Sequence, residues 1–130
     1  MENGLTITQN DLISAVSGQG IGEIIKPLVR EIYLFDSFIA GTSRLKDPSV
    51  LTRVAAGEKL TLRREESKFD DNAIVILTEA GEKLGYVPEK DNIVFARLMD
   101  AGKLLTAQIR SVEERKGFVQ IGIGIYLVDF

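Results

Sequence analysis

Leu60-Thr-Leu-Arg-Arg-Glu-Glu-Ser-Lys-Phe-Asp-Asp-Asn-Ala-Ile-Val-Ile-Leu77 reads as strand, polar loop, strand. Leu60 and Leu62 alternate with Thr61 and Arg63, the period-2 pattern of a half-buried strand. Ala73 to Leu77 is a continuous apolar run rich in β-branched residues, which reads as a strand buried on both faces. The charged segment between them carries a single aromatic, Phe69. A large apolar side chain prefers burial. Phe69 therefore either folds back as a plug for the core or is offered to a partner.

The composition narrows the chemistry around that loop. The chain has 130 residues, which suits one domain with a real core. It has no cysteine, so disulfides, thiol chemistry and a Cys-type zinc site are excluded. It also has no histidine, which removes the commonest general base and metal ligand and every Ser-His nucleophile. No cofactor is expected. The N-terminus lacks the basic region and apolar run of a signal peptide, and no segment approaches the roughly 18 apolar residues of a membrane span. The expectation is a soluble cytoplasmic protein with no membrane partner. The net charge of −3 means that any nucleic-acid site must be a local basic patch.

In chain order, residues 1–22 read as an N-terminal extension and 23–130 as the domain. Thr6 to Val16 suits a short helix capped by Thr8 or Asn10, and Gly18, Gly20 and Gly22 then break it as a hinge. Their spacing matches no phosphate-binding fingerprint. Ile32 to Ala40 is the first strong strand. Asp47, Pro48 and Gly57 are the N-cap, first position and stop of a helix whose apolar face is Val50, Leu51, Val54 and Ala55. Lys83 to Pro88 is a short strand. Glu89 to Ala101 is a second helix, with the pairs Val94/Leu98 and Phe95/Met99 facing the core. Lys103 to Glu113 and Phe118 to Val128 form a hairpin with a solvated tip, and Gly122 and Gly124 mark a bend or a close backbone approach. The predicted class is mainly β, a small barrel or strongly coiled sheet of about six strands with two short helices.

Two blocks, Phe69-Asp70-x-Asn72-Ala73-Ile74 and Leu84-Gly85-Tyr86-Val87-Pro88, together resemble the HIRAN domain, a module of helicase-like DNA-repair ATPases that also occurs free-standing in bacteria. The resemblance runs from Ile32 to the C-terminus. It implies an OB-like β-barrel that binds single-stranded DNA and captures its free 3′ end. By that resemblance Phe69 stands where an aromatic packs near the terminal nucleotide, and Asp70 where a carboxylate meets the 3′ hydroxyl. Asn72 belongs to the same block. Tyr86 lies on the binding side, Lys90 near the basic residues of relatives, and Arg44 near a basic-aromatic pair after the first strand. Any enzymatic activity in DNA repair would come from a helicase or nuclease partner.

The residues support this chemistry independently. Sequence-tolerant binding of single strands needs aromatic faces and cations. Phe69 and Tyr86 supply the faces, and Arg44, Arg63, Arg64, Lys68 and Lys90 the charge. Arg63 and Arg64, adjacent in a strand, point to opposite faces, so only one of them lines a given site. Asp70 repels a phosphate but accepts a hydrogen bond from a terminal hydroxyl. Plainer roles stand beside these: Asp70 and Asn72 as loop builders, Tyr86 as barrel lining. A protein-interaction module on the same fold is the main alternative. A metal-dependent nuclease using Asp47, Glu66 and Lys68 is a weaker one.

Overall fold

The computed structural model describes residues 30–129. The expected helix over 6–16, the glycine hinge and the boundary at residue 22 lie outside them. The strands are β1 (Arg30–Phe38), β2 (Lys59–Arg64), β3 (Ile74–Thr78), β4 (Lys83–Tyr86), β5 (Leu104–Arg115) and β6 (Phe118–Asp129), all but the first residue of β1 and the last of β6 lying in the compact unit Glu31–Val128. They form one six-stranded sheet in the order β1-β6-β5-β2-β3-β4. The expected mainly β class holds.

The opening stretch behaves as its alternation dictates. In β2, Leu60 and Leu62 are buried while Thr61 and Arg63 are exposed. Every residue of β3 is buried. β2 and β3 pair antiparallel, from Leu60 opposite Thr78 to Arg64 opposite Ile74. The core gathers Leu60, Leu62, Ile74, Ile76, Leu84, Leu105, Ile109, Ile121, Ile123 and Ile125. Removing that much aliphatic surface from water is the main force holding the barrel.

The sheet coils until its two edges meet. Just past β1, Ala40 and Tyr86 exchange backbone hydrogen bonds of 2.8 Å in both directions. A Cβ on Gly85 would drive into the Ala40 carbonyl oxygen, so this junction requires glycine. The remainder of the seam is covered by α1 (Glu89–Asp100). Phe95 of α1 packs on Phe35 of β1 with ring centroids 5.8 Å apart, and Ser37 Oγ donates to Asp91 Oδ2 at 2.8 Å.

Two expectations about helices change. The segment capped by Asp47 is a short 3-10 helix, Pro48–Thr52, rather than an α-helix reaching Gly57. Its cap is as expected, with Asp47 accepting from the Ser49 amide and hydroxyl. Val50, Leu51 and Val54 are buried but Ala55 is exposed. In α1, Phe95 is buried and Leu98 and Met99 pack against the core, whereas Val94 is 61% exposed. The helix lies against a narrow seam, so it has room to bury only a strip, and Val94 falls beyond it.

Candidate nucleic-acid interface

The loop between β2 and β3 is held at three levels. At its base the Glu65 amide donates to the Ala73 carbonyl, and the Ala73 amide to the Asp70 carbonyl. Beneath it, Arg64 reaches across: Nη1 donates to the Ala73 carbonyl at 2.6 Å, Nη2 to the Asp71 carbonyl at 2.8 Å, and Nε to Asp100 Oδ1 at 2.9 Å. The Arg64 hydrogen bond holds the Asp100 carboxyl below the usual carboxylate range. At its tip, Asp70 Oδ1 accepts from the Asn72 amide and Oδ2 from Asn92 Nδ2, both at 2.8 Å. Asn92 is 2% exposed, so this second bond ties the loop to a buried point on α1.

Phe69 stands beside this anchored aspartate and is 94% exposed. It is not a core plug. Hydration of a whole phenyl ring is unfavourable, and the hydrogen bonds on either side of it hold the backbone that presents it.

Tyr86 closes the seam and is half-buried. Its hydroxyl donates to Glu65 Oε1. Lys83 Nζ donates to that hydroxyl at 2.7 Å and lies 4.4 Å from the ring centroid. Glu65, Tyr86 and Lys83 thus form one hydrogen-bonded chain along the surface. Arg44, in the 3-10 turn Thr42–Arg44, shares a depression with Lys46 and Lys83, faced by the carboxylates of Asp47 and Glu82. Lys90, in the first turn of α1, lies over the Phe38 ring at 5.6 Å.

Through these contacts the loop carrying Phe69, Asp70 and Asn72 is joined to α1, whose first turn carries Lys90, and to Tyr86 through Glu65, while Lys83 links Tyr86 to the depression that Arg44 lines. Arg64 lies under the loop as a brace, and in its depression Glu65, Glu66, Asp71 and Asp100 outnumber Arg64 and Lys68. Those carboxylates make that hollow unfavourable for a phosphate. Arg63 is exposed on the other side of β2. Asp47 caps its helix and lines a different depression from Glu66 and Lys68. Among the described residues no group of three or more carboxylates is arranged to hold a metal ion. Sequence reasoning missed Phe38 as a half-buried ring beside Lys90 and missed Asn92 as the partner of Asp70. The second had a detectable signal, an asparagine on the inner strip of an amphipathic helix.

Among the described residues no helix is long and apolar enough to cross a membrane. The HIRAN domain family model matches residues 32–128. No curated protein matches the chain. Among solved structures, a Lactobacillus plantarum protein superposes with a TM-score of 0.73 at 26% identity, over 78% of this chain and 99% of that one. The HIRAN domain of human HLTF superposes with a TM-score of 0.61 at 16% identity, over 77% of this chain and 78% of that one, a likeness of fold alone.

Proposed function

Because the chain belongs to the HIRAN domain family, a family of DNA-binding domains, we propose that it binds single-stranded DNA without catalysis and takes hold of a free 3′ end. The observation that carries this reading is the exposure of Phe69, 94%, on a loop tied at its base, underside and tip. An aromatic ring presented on a braced loop has its ordering cost met before a base arrives, and base–aromatic stacking suits it.

In this reading Phe69 stacks on the terminal base and Tyr86 supports the next one. Lys90 and Arg44 meet phosphates, while Arg64 acts by holding the loop. Both Asp70 oxygens already accept one internal hydrogen bond. Each has a further acceptor site, and a 3′ hydroxyl would use one of them. The negative charge of Asp70 repels a 3′ phosphate, which selects a free end by exclusion.

The test is fluorescence anisotropy at low salt with short single strands ending in a 3′ hydroxyl or a 3′ phosphate, beside a duplex. The expected result is preference for the hydroxyl end. Phe69→Ala is expected to weaken binding by about 1–3 kcal/mol with an unchanged melting temperature. Equal binding of both ends would reduce the reading to a generic single-strand binder, and no binding at low salt would overturn it.

A further inference from the structure

The Tyr86 hydroxyl is hydrogen-bonded to one wall of each of two depressions, Glu65 of the first and Lys83 of the second. Their charge balance is opposite. In the hollow beneath the loop, four carboxylates outnumber Arg64 and Lys68. In the other, Arg44, Lys46 and Lys83 face Asp47 and Glu82. Both of those acids are engaged within the chain: Asp47 accepts from the Ser49 amide at 3.1 Å and from its hydroxyl, and Glu82 Oε2 accepts from Arg53 Nη2 at 2.7 Å. Among the described residues no carboxylate pairs with Arg44, Lys46 or Lys83. Local structure explains why these cations gather. Gly41 takes a left-handed turn, φ 74°, and its carbonyl accepts from the Arg44 amide at 3.1 Å. That turn lies against Tyr86, for a Cβ on Gly41 would be 3.6 Å from Tyr86 Cδ1. Leu45 then packs on the core, while Arg44 and Lys46 on either side of it stay exposed. Lys83, from β4, brings its ammonium to 4.4 Å from the Tyr86 ring centroid.

We propose that the depression lined by Arg44, Lys46 and Lys83 is the track of the phosphodiester backbone, so that a strand held at its 3′ end leaves Tyr86 over Lys83 toward Lys46. This rests on the reading of the loop and Tyr86 as a single-strand site. It adds the direction in which the strand departs and two contacts, Lys46 and Lys83. Single strands draw much of their affinity from phosphates that meet cations. Cations that the chain leaves unbalanced gain most from a phosphate, whereas a hollow with excess carboxylate repels one. By that measure the backbone is turned away from the hollow beneath the loop and drawn to the Lys83 side. Lys83 also couples the two parts of the site. One ammonium lies against the ring proposed to stack a base and lines the depression that would take the following phosphates. A requirement for length follows. A dinucleotide occupies the aromatic positions alone, and a longer strand reaches Lys46.

The test is fluorescence anisotropy of the full chain across a salt series, with a thymidine dinucleotide and a thymidine octanucleotide, both ending in a 3′ hydroxyl. The octanucleotide is expected to bind more tightly and with the steeper salt dependence. Lys46→Gln is expected to weaken the octanucleotide about fivefold at low salt, to flatten its logarithmic salt slope by about 0.7, and to leave the dinucleotide unchanged. Lys83→Gln keeps a donor for the Tyr86 hydroxyl but loses the charge, and is expected to flatten the octanucleotide slope by the same amount. Lys46→Arg is expected to bind as the unaltered chain does. Lys59→Gln removes a cation that pairs with Glu31 at 3.5 Å and is expected to change neither probe. An octanucleotide that binds the unaltered chain, Lys46→Gln and Lys83→Gln with one slope would overturn the track and leave the 3′-end site standing. An equal loss from Lys59→Gln would overturn it as an effect of net charge. Failure of both probes to bind the unaltered chain would overturn the single-strand reading and the track with it.

Discussion

Asp70 combines an architectural role with the recognition role proposed for it. Its two oxygens accept from the Asn72 amide and from Asn92. Replacing Asn92 with Ala is expected to cost about 1–3 kcal/mol in urea denaturation, because it leaves a part-buried carboxylate oxygen without its donor. Arg64 and Asp100 add a pH dependence. The Asp100 carboxyl is depressed in the folded state by its hydrogen bond to Arg64. Its contribution is therefore complete above the ordinary carboxylate pKa, roughly 4, and is lost as pH falls through the lower folded value. Acid titration followed by NMR is expected to loosen the Glu65–Asn72 loop in that window, and Arg64→Gln to abolish the effect. The loop's identity was legible in Phe69-Asp70-x-Asn72. Its bracing was not, because Asn92 and Asp100 reach it from α1, a contact that no local pattern encodes.

At the scale of elements, alternation in β2 and the unbroken apolar run of β3 placed two central strands, and both faces came out as the pattern requires. The helix α1 was legible in its ends and less so in its orientation. Its apolar residues outnumber the positions that the seam can cover, so Val94 satisfies the spacing and still faces water. Phe95→Ala is expected to cost about 3–5 kcal/mol in thermal or urea unfolding, since it opens a cavity beside Phe35. Val94→Lys is expected to stay within about 0.5 kcal/mol. Similar losses from both substitutions would show that the helix packs differently. The bulge at Arg110 lay beyond reach for the opposite reason. Ala107, Ile109 and the residues after them keep an acceptable strand composition, and only the partner strand's register reveals the extra residue. Gly124 was legible as a close approach, though not what approaches it.

For the whole molecule, barrel closure depends on very little chain. Six strands coil into one sheet, yet among the described residues Ala40 and Tyr86 form the isolated bridge that joins its edges. Gly85→Ala is expected to destabilise by more than about 3 kcal/mol, because the added carbon meets the Ala40 carbonyl and the backbone must part to admit it; an unchanged melting temperature would contradict this packing. The family resemblance named the Gly85-Tyr86 block, but the physical demand on that glycine came from a residue far away in sequence. The same junction has a thermodynamic consequence. Tyr86 is both a rivet of the barrel and a proposed contact for DNA, so opening the seam and releasing a bound strand are linked equilibria. A ligand that favours the closed seam must slow amide hydrogen exchange at Ala40 and Tyr86, and to the same extent a weakened seam must bind that ligand less tightly.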